Sequence, residues 1–142
     1  MLAGPADLIQ RARRLRKRLG GGMRQIGFLC AAGIHALEVN ALRLHEDHER
    51  AQRLAEGIRG VDGIQARPPQ TNLVLLEVVI PATKWVTRLE SHGVRCLPVA
   101  ANRLVTHHDV DDAGIARAIT AIHTVARELE CTSPLASAES RA

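Results

Sequence analysis

The chain has 142 residues, 46% of them hydrophobic, with no Tyr, one Phe and one Trp, so it makes one domain at most, around an aliphatic core. Its net charge of +4 is uneven: residues 1–25 hold seven cations against Asp7, a local +6 that leaves −2 for the remainder. That pattern points to one anionic contact surface and away from general nucleic-acid affinity.

Cys30, Cys96 and Cys131 are too few and too widely spaced for a metal knuckle or a disulfide scaffold. Cys30 and Cys96 lie in apolar runs and read as small buried hydrophobes, which agrees with a reducing, cytoplasmic setting. No run approaches the ~20 apolar residues that a membrane span needs, and no apolar signal core follows the basic N-terminal residues.

In chain order, residues 1–5 read as the tail of a strand entering a turn. Leu8, Ala12, Leu15 and Leu19 then recur at helical spacing, so residues 7–19 form a helix with its arginines outward. Gly20-Gly21-Gly22 closes that helix and opens into residues 26–37. Two readings fit the glycines: a helix stop, or a close-approach turn before a helix start, which with Lys17 and Arg24 beside it suits a phosphate or carboxylate. Residues 26–37 are apolar nearly all round, so that helix needs cover on most of its sides.

Leu44, Ala51, Leu54, Ala55 and Ile58 form a third helical stripe that ends at Gly60. Within it, His45-Glu46-Asp47-His48 lacks the i, i+4 histidine spacing of a zinc helix and is not read as a metal site. Residues 71–79 are β-formers between Pro68-Pro69 and Pro81. Trp85, Val86 and Leu89 give a short helix that stops at Gly93, and residues 94–97 and 103–106 give two further strands. Asp111 or Asp112 caps a last helix with inner residues Ile115, Ile119, Ile122, Ala126 and Leu129.

The expected fold is α+β: three N-terminal helices followed by a small sheet with helices on one side. The expected divisions are a helical segment over 1–60, a small α+β domain over 61–130, and a disordered Ser/Ala-rich tail over 131–142.

Strand alternation puts Arg103, Val105 and His107 on one face, Leu104 and Thr106 on the other. An Arg among apolar strand neighbours needs an acidic partner. Either it forms a structural ion pair with Asp109 or Glu77, or its fork takes a carboxylate from outside. His107-His108-Asp109 reads as a strand-end loop.

Several stretches are shared with one enzyme family. They are Arg16-Lys17-Arg18-Leu19-Gly20-Gly21-Gly22-Met23-Arg24-Gln25, Ala31-Ala32-Gly33-Ile34-His35-Ala36-Leu37, Leu44-His45-Glu46-Asp47-His48, Pro69-Gln70-Thr71-Asn72, and Arg103-Leu104-Val105-Thr106-His107-His108-Asp109-Val110. In this order they resemble the low-specificity L-threonine aldolase family over roughly residues 1–130, as its C-terminal portion.

The resemblance implies a pyridoxal 5'-phosphate enzyme of the aspartate-aminotransferase fold type. Such enzymes cleave threonine and related β-hydroxy-α-amino acids to glycine and an aldehyde, with the coenzyme ring as electron sink. It implies that Arg103 holds the substrate carboxylate and that Lys17 and Arg24 face the cofactor phosphate, in a homo-oligomer or beside a full-length aldolase chain. It also implies that the Schiff-base lysine belongs to a part not among these residues, since neither Lys17 nor Lys84 occupies that position. The chain alone is then expected to be inactive and to self-associate. A basic phosphate- or nucleic-acid-binding module is the lesser alternative, because no aromatic stands in the basic helix to stack bases.

Overall fold

The computed structural model describes residues 2–96 and 102–129. Two compact units divide the chain, Met1–Leu42 and Arg43–Ala142. The first holds α1 (Ala6–Arg18) and α2 (Gly27–Glu38), each within a residue or so of the span its apolar spacing predicts. No residue of either helix is buried. On α2, Phe28 is 87% exposed, and Leu29, Ile34 and Leu37 are exposed as well. Cys30, expected as a buried hydrophobe, is exposed too, because α2 has no layer over it in this unit.

The second unit begins with α3 (Leu44–Gly57) and continues through β1 (Ile64–Ala66), β2 (Leu73–Val78), α4 (Ala82–Ser91), β3 (Asn102–Val105) and α5 (Asp112–Glu128). The expected division at residue 60 differs from this one for a physical reason. The α3 stripe of Ala51, Leu54, Ala55 and Ile58 is buried in one cluster with the strands and with α4 and α5, so α3 belongs to the α+β layer.

The sheet runs in the order β1-β2-β3, with both pairings antiparallel. Val74 pairs with Leu104 and Leu75 with Arg103, so the two-residue strand period sorts the sheet into two faces. Val74, Leu76 and Leu104 are buried with the helices, while Leu73, Arg103 and Val105 are exposed on the opposite face. The wholly buried residues include Trp85 and Leu89 of α4 and Ile122 and Val125 of α5, so the core is aliphatic around a single indole.

Three local details differ from the sequence reading. Residues 2–5, expected within the tail of a strand, are not one. β1 was not expected. Residues 94–96, expected as the start of a strand, are not one, and the remainder of that stretch lies outside the described residues. The cause is the end of α4: Gly93 turns at φ +80, its amide donates to the Glu90 carbonyl at 2.9 Å, and the Val94 amide donates to the Leu89 carbonyl at 3.0 Å. This paired capping pattern spends the Val94 donor on the helix. The cap of α5 is Asp111, whose Oδ1 accepts from the Gly114 amide at 2.6 Å. The tail over 131–142 lies outside the described residues.

Candidate functional site

Arg103 sits on the open face of β3, as alternation requires. Neither expected ion pair forms. Glu77 is taken by Arg67, whose Nε and Nη2 donate at 2.9 and 2.5 Å, and Asp109 lies 3.7 Å from His107 Nδ1. Among the described residues no carboxylate is within ion-pair distance of Arg103. Arg103 therefore stands exposed at the surface, with its donors available to a ligand.

The strand end next to it is pinned. Thr106 is 1% exposed, and its amide donates to the Asn72 carbonyl at 3.0 Å. Its Oγ donates to the Asp47 carbonyl of α3 at 2.6 Å, with a longer approach of 3.3 Å to the Asn72 carbonyl. Asn72 Nδ2 returns a bond to the Thr106 carbonyl at 2.8 Å. Residues 107–110 then turn, with the Val110 amide bonded to the His107 carbonyl at 2.8 Å, so the His-His-Asp run is the strand-end loop that the sequence suggests.

A charge network surrounds this end. Arg43 donates to His108 Nδ1 and to both Glu46 oxygens, and the Arg43 bond holds the Glu46 carboxyl below its ordinary range. Arg50 Nε reaches Asp112 Oδ1 at 2.9 Å and Arg53 Nη2 reaches it at 3.2 Å. These bonds lower the Asp112 carboxyl likewise. Among the described residues no three His, Cys, Asp or Glu side chains converge as metal ligands. Burial pushes the Cys96 thiol up, away from a reactive thiolate.

In the first unit the glycine run is a helix stop. Gly20 adopts φ +80, its amide donates to the Lys17 carbonyl at 3.3 Å, and the Gly21 amide donates to the Arg16 carbonyl at 2.8 Å, the same paired cap that ends α4. The run also serves a side chain: a Cβ on Gly22 would stand 2.6 Å from Lys17 Cδ and 3.3 Å from Lys17 Nζ. The Lys17 chain thus lies along bare Gly22 backbone, which any larger residue would occupy. Lys17 and Arg24 are both exposed, and among the described residues neither has an ion-pair partner.

The family model for beta-eliminating lyases matches residues 1–81. The chain belongs to the beta-eliminating lyase family. Within the family it is 37% identical over 123 residues to a probable low-specificity L-threonine aldolase of Arabidopsis thaliana, covering 81% of this chain and 35% of that one. It is 41% identical over 113 residues to the low specificity L-threonine aldolase of Escherichia coli K12, covering 78% and 33%. An alanine racemase of Cochliobolus carbonum is 31% identical over 136 residues, covering 88% and 34%. The chain spans about a third of the length of the relatives it matches.

The family's coenzyme can be tested against these residues by the chemistry of the donors. Lys17, with its aliphatic stem laid over Gly22, and Arg24, seven residues on in sequence, are cations of the kind that suits an anionic group such as a phosphate. They do not fit the whole coenzyme. Lys17 and Lys84 are the two lysines of the sequence, both are exposed, and Lys84 borders an open surface hollow with Thr87 and Glu128, not an enclosed one.

What the residue-by-residue reading missed is the Asn72–Thr106 pair. Its signal was available in outline: Thr106 is a polar residue at a strand position assigned to the buried face, and such a group has to find partners.

Proposed function

We propose that this chain carries the substrate-carboxylate arm and a phosphate-facing basic segment of a pyridoxal-phosphate lyase of the threonine aldolase kind, in the aspartate-aminotransferase fold type. The substrates are threonine and related β-hydroxy-α-amino acids, cleaved to glycine and an aldehyde in a cytoplasmic homo-oligomer. Arg103 takes the substrate carboxylate, and Lys17 and Arg24 face the phosphate.

The observation that carries this reading is Arg103 itself. It is an exposed strand arginine without an ion pair among the described residues, on a sheet face it shares with the exposed apolar side chains Leu73 and Val105. The relatives' names agree with it: threonine aldolase and alanine racemase act on different bonds, but threonine and alanine share an α-carboxylate.

With no lysine in a cofactor pocket, the chain is inactive alone. Purified chain incubated with pyridoxal phosphate and L-threonine is expected to release no glycine, and glycine release would overturn this. A second reading is favoured by the exposed apolar sides of α2: a non-catalytic subunit that assembles with a full-length aldolase and contributes Lys17, Arg24 and Arg103. Co-expression with a tagged full-length aldolase tests it, and failure to co-purify would exclude it.

A further inference from the structure

We propose that Thr106 is the positioning residue for Arg103, acting through the Asn72–Thr106 clamp. This rests on the reading of Arg103 as a carboxylate-holding group.

The argument starts from what does not hold Arg103. Its side chain has no ion-pair partner among the described residues, so what the fold itself fixes is the backbone point from which the fork reaches out. That backbone is a four-residue strand, Asn102–Val105, which among the described residues pairs on one edge only, with β2. A short edge strand is weakly restrained along its length and across its free side. A bidentate arginine grip, however, tolerates displacements of only about 0.5 Å.

The missing restraint is supplied just past the strand. Thr106 continues the ladder by its amide bond to the Asn72 carbonyl at 3.0 Å and receives the Asn72 amide group at 2.8 Å. Its hydroxyl, buried to 1% exposure, crosses to the Asp47 carbonyl in the first turn of α3 at 2.6 Å. That last bond is the one that fixes the strand in a second direction, because it leaves the sheet. Arg103 and Thr106 point to opposite faces three residues apart, so the inward anchor sets the outward fork.

The test uses the full chain with glycine as probe, followed by the Arg103 side-chain Nε–H signal in nuclear magnetic resonance. In the unsubstituted chain the signal is expected to shift saturably with glycine. Thr106→Val keeps the buried shape and removes the donor, and is expected to weaken glycine binding about tenfold at a temperature where the unit remains folded. Thr106→Ser, which keeps the hydroxyl, is expected to restore it. Glycine binding by Thr106→Val equal to that of the unsubstituted chain would overturn the positioning role and leave the carboxylate reading standing. An Arg103 signal indifferent to glycine in the unsubstituted chain would overturn the carboxylate reading itself. Should Thr106→Val fail to fold, Asn72→Ala removes the 2.8 Å bond alone, and an unchanged glycine affinity there counts against the clamp.

Discussion

Arg50 Nε donates to Asp112 Oδ1 at 2.9 Å across 62 positions of sequence, tying the middle of α3 to the first residue of α5. These two helices also pack on each other, so the pair lies at the rim of a contact that the core already makes. Asp112 is exposed, and its worth is modest and open to screening by salt.

The pH dependence has a definite sign. The Arg50 and Arg53 bonds depress the Asp112 carboxyl in the folded state, and a depressed carboxyl stabilises above its unfolded value, about 3.9, and loses that contribution as pH falls through the folded one. Asp112→Asn is expected to lower the melting temperature slightly at pH 7 and by less at pH 2, because the carboxylate's contribution fades as pH falls. Melting curves in low and high salt at both pH values check this, and high salt is expected to shrink the neutral-pH difference.

Leu76 is fully buried between β1 and β3, while Phe28 is almost wholly exposed. Leu76→Ala should therefore cost about 2–5 kcal/mol through lost burial and the cavity left behind. Phe28→Ser should cost nothing measurable. Urea titration of both variants checks the contrast, and equal midpoints would contradict it.

Gly57 ends α3 where a Cβ would stand 2.4 Å from Ile119 Cδ1 of α5. Overpacking of this kind costs about 1–3 kcal/mol, against about 1 kcal/mol regained in helix propensity by Ala. Gly57→Ala alone is expected to destabilise, and Ile119→Val, which deletes Cδ1 but keeps Cγ1 at 2.9 Å from the added Cβ, is expected to remove part of that loss. A double-mutant cycle on urea midpoints measures the coupling.

The exposed apolar side chains of α2 form a surface that water penalises. The chain is expected to self-associate as its concentration rises, and replacing Phe28 and Leu29 with Ser is expected to suppress this. Sedimentation velocity over a concentration series decides it, and a monodisperse unsubstituted monomer at high concentration would refute it.

The helices were the most legible part of the sequence because α1, α3 and α5 carry several turns of a 3.6-residue pattern and α2 is a long apolar run between breakers. Leu8, Ala12, Leu15 and Leu19 place α1 almost to the residue, and the Asp111-Asp112 pair announces the start of α5 without saying which of the two is the cap. β1 has three residues and therefore a single alternation, too little to stand out between Gly63 and Pro68. Residues 94–96 have strand-forming composition, but the Val94 amide serves the α4 cap instead, a local bond to the Leu89 carbonyl that strand composition does not reveal. For the site, alternation alone put Arg103 outward and Thr106 inward. That Arg103 would lack Glu77 was not readable, because the competitor Arg67 becomes a neighbour of Glu77 only when β1 pairs with β2.

Trp85 is the one indole of the chain and is wholly enclosed by the second unit. With no tyrosine present, ultraviolet-excited emission from this protein is a report on that unit alone. A denaturation curve followed by fluorescence would record the sheet and its helices coming apart while staying blind to α1 and α2, whose unwinding has to be read from backbone dichroism. The difference between the two curves would measure how independently the basic arm melts.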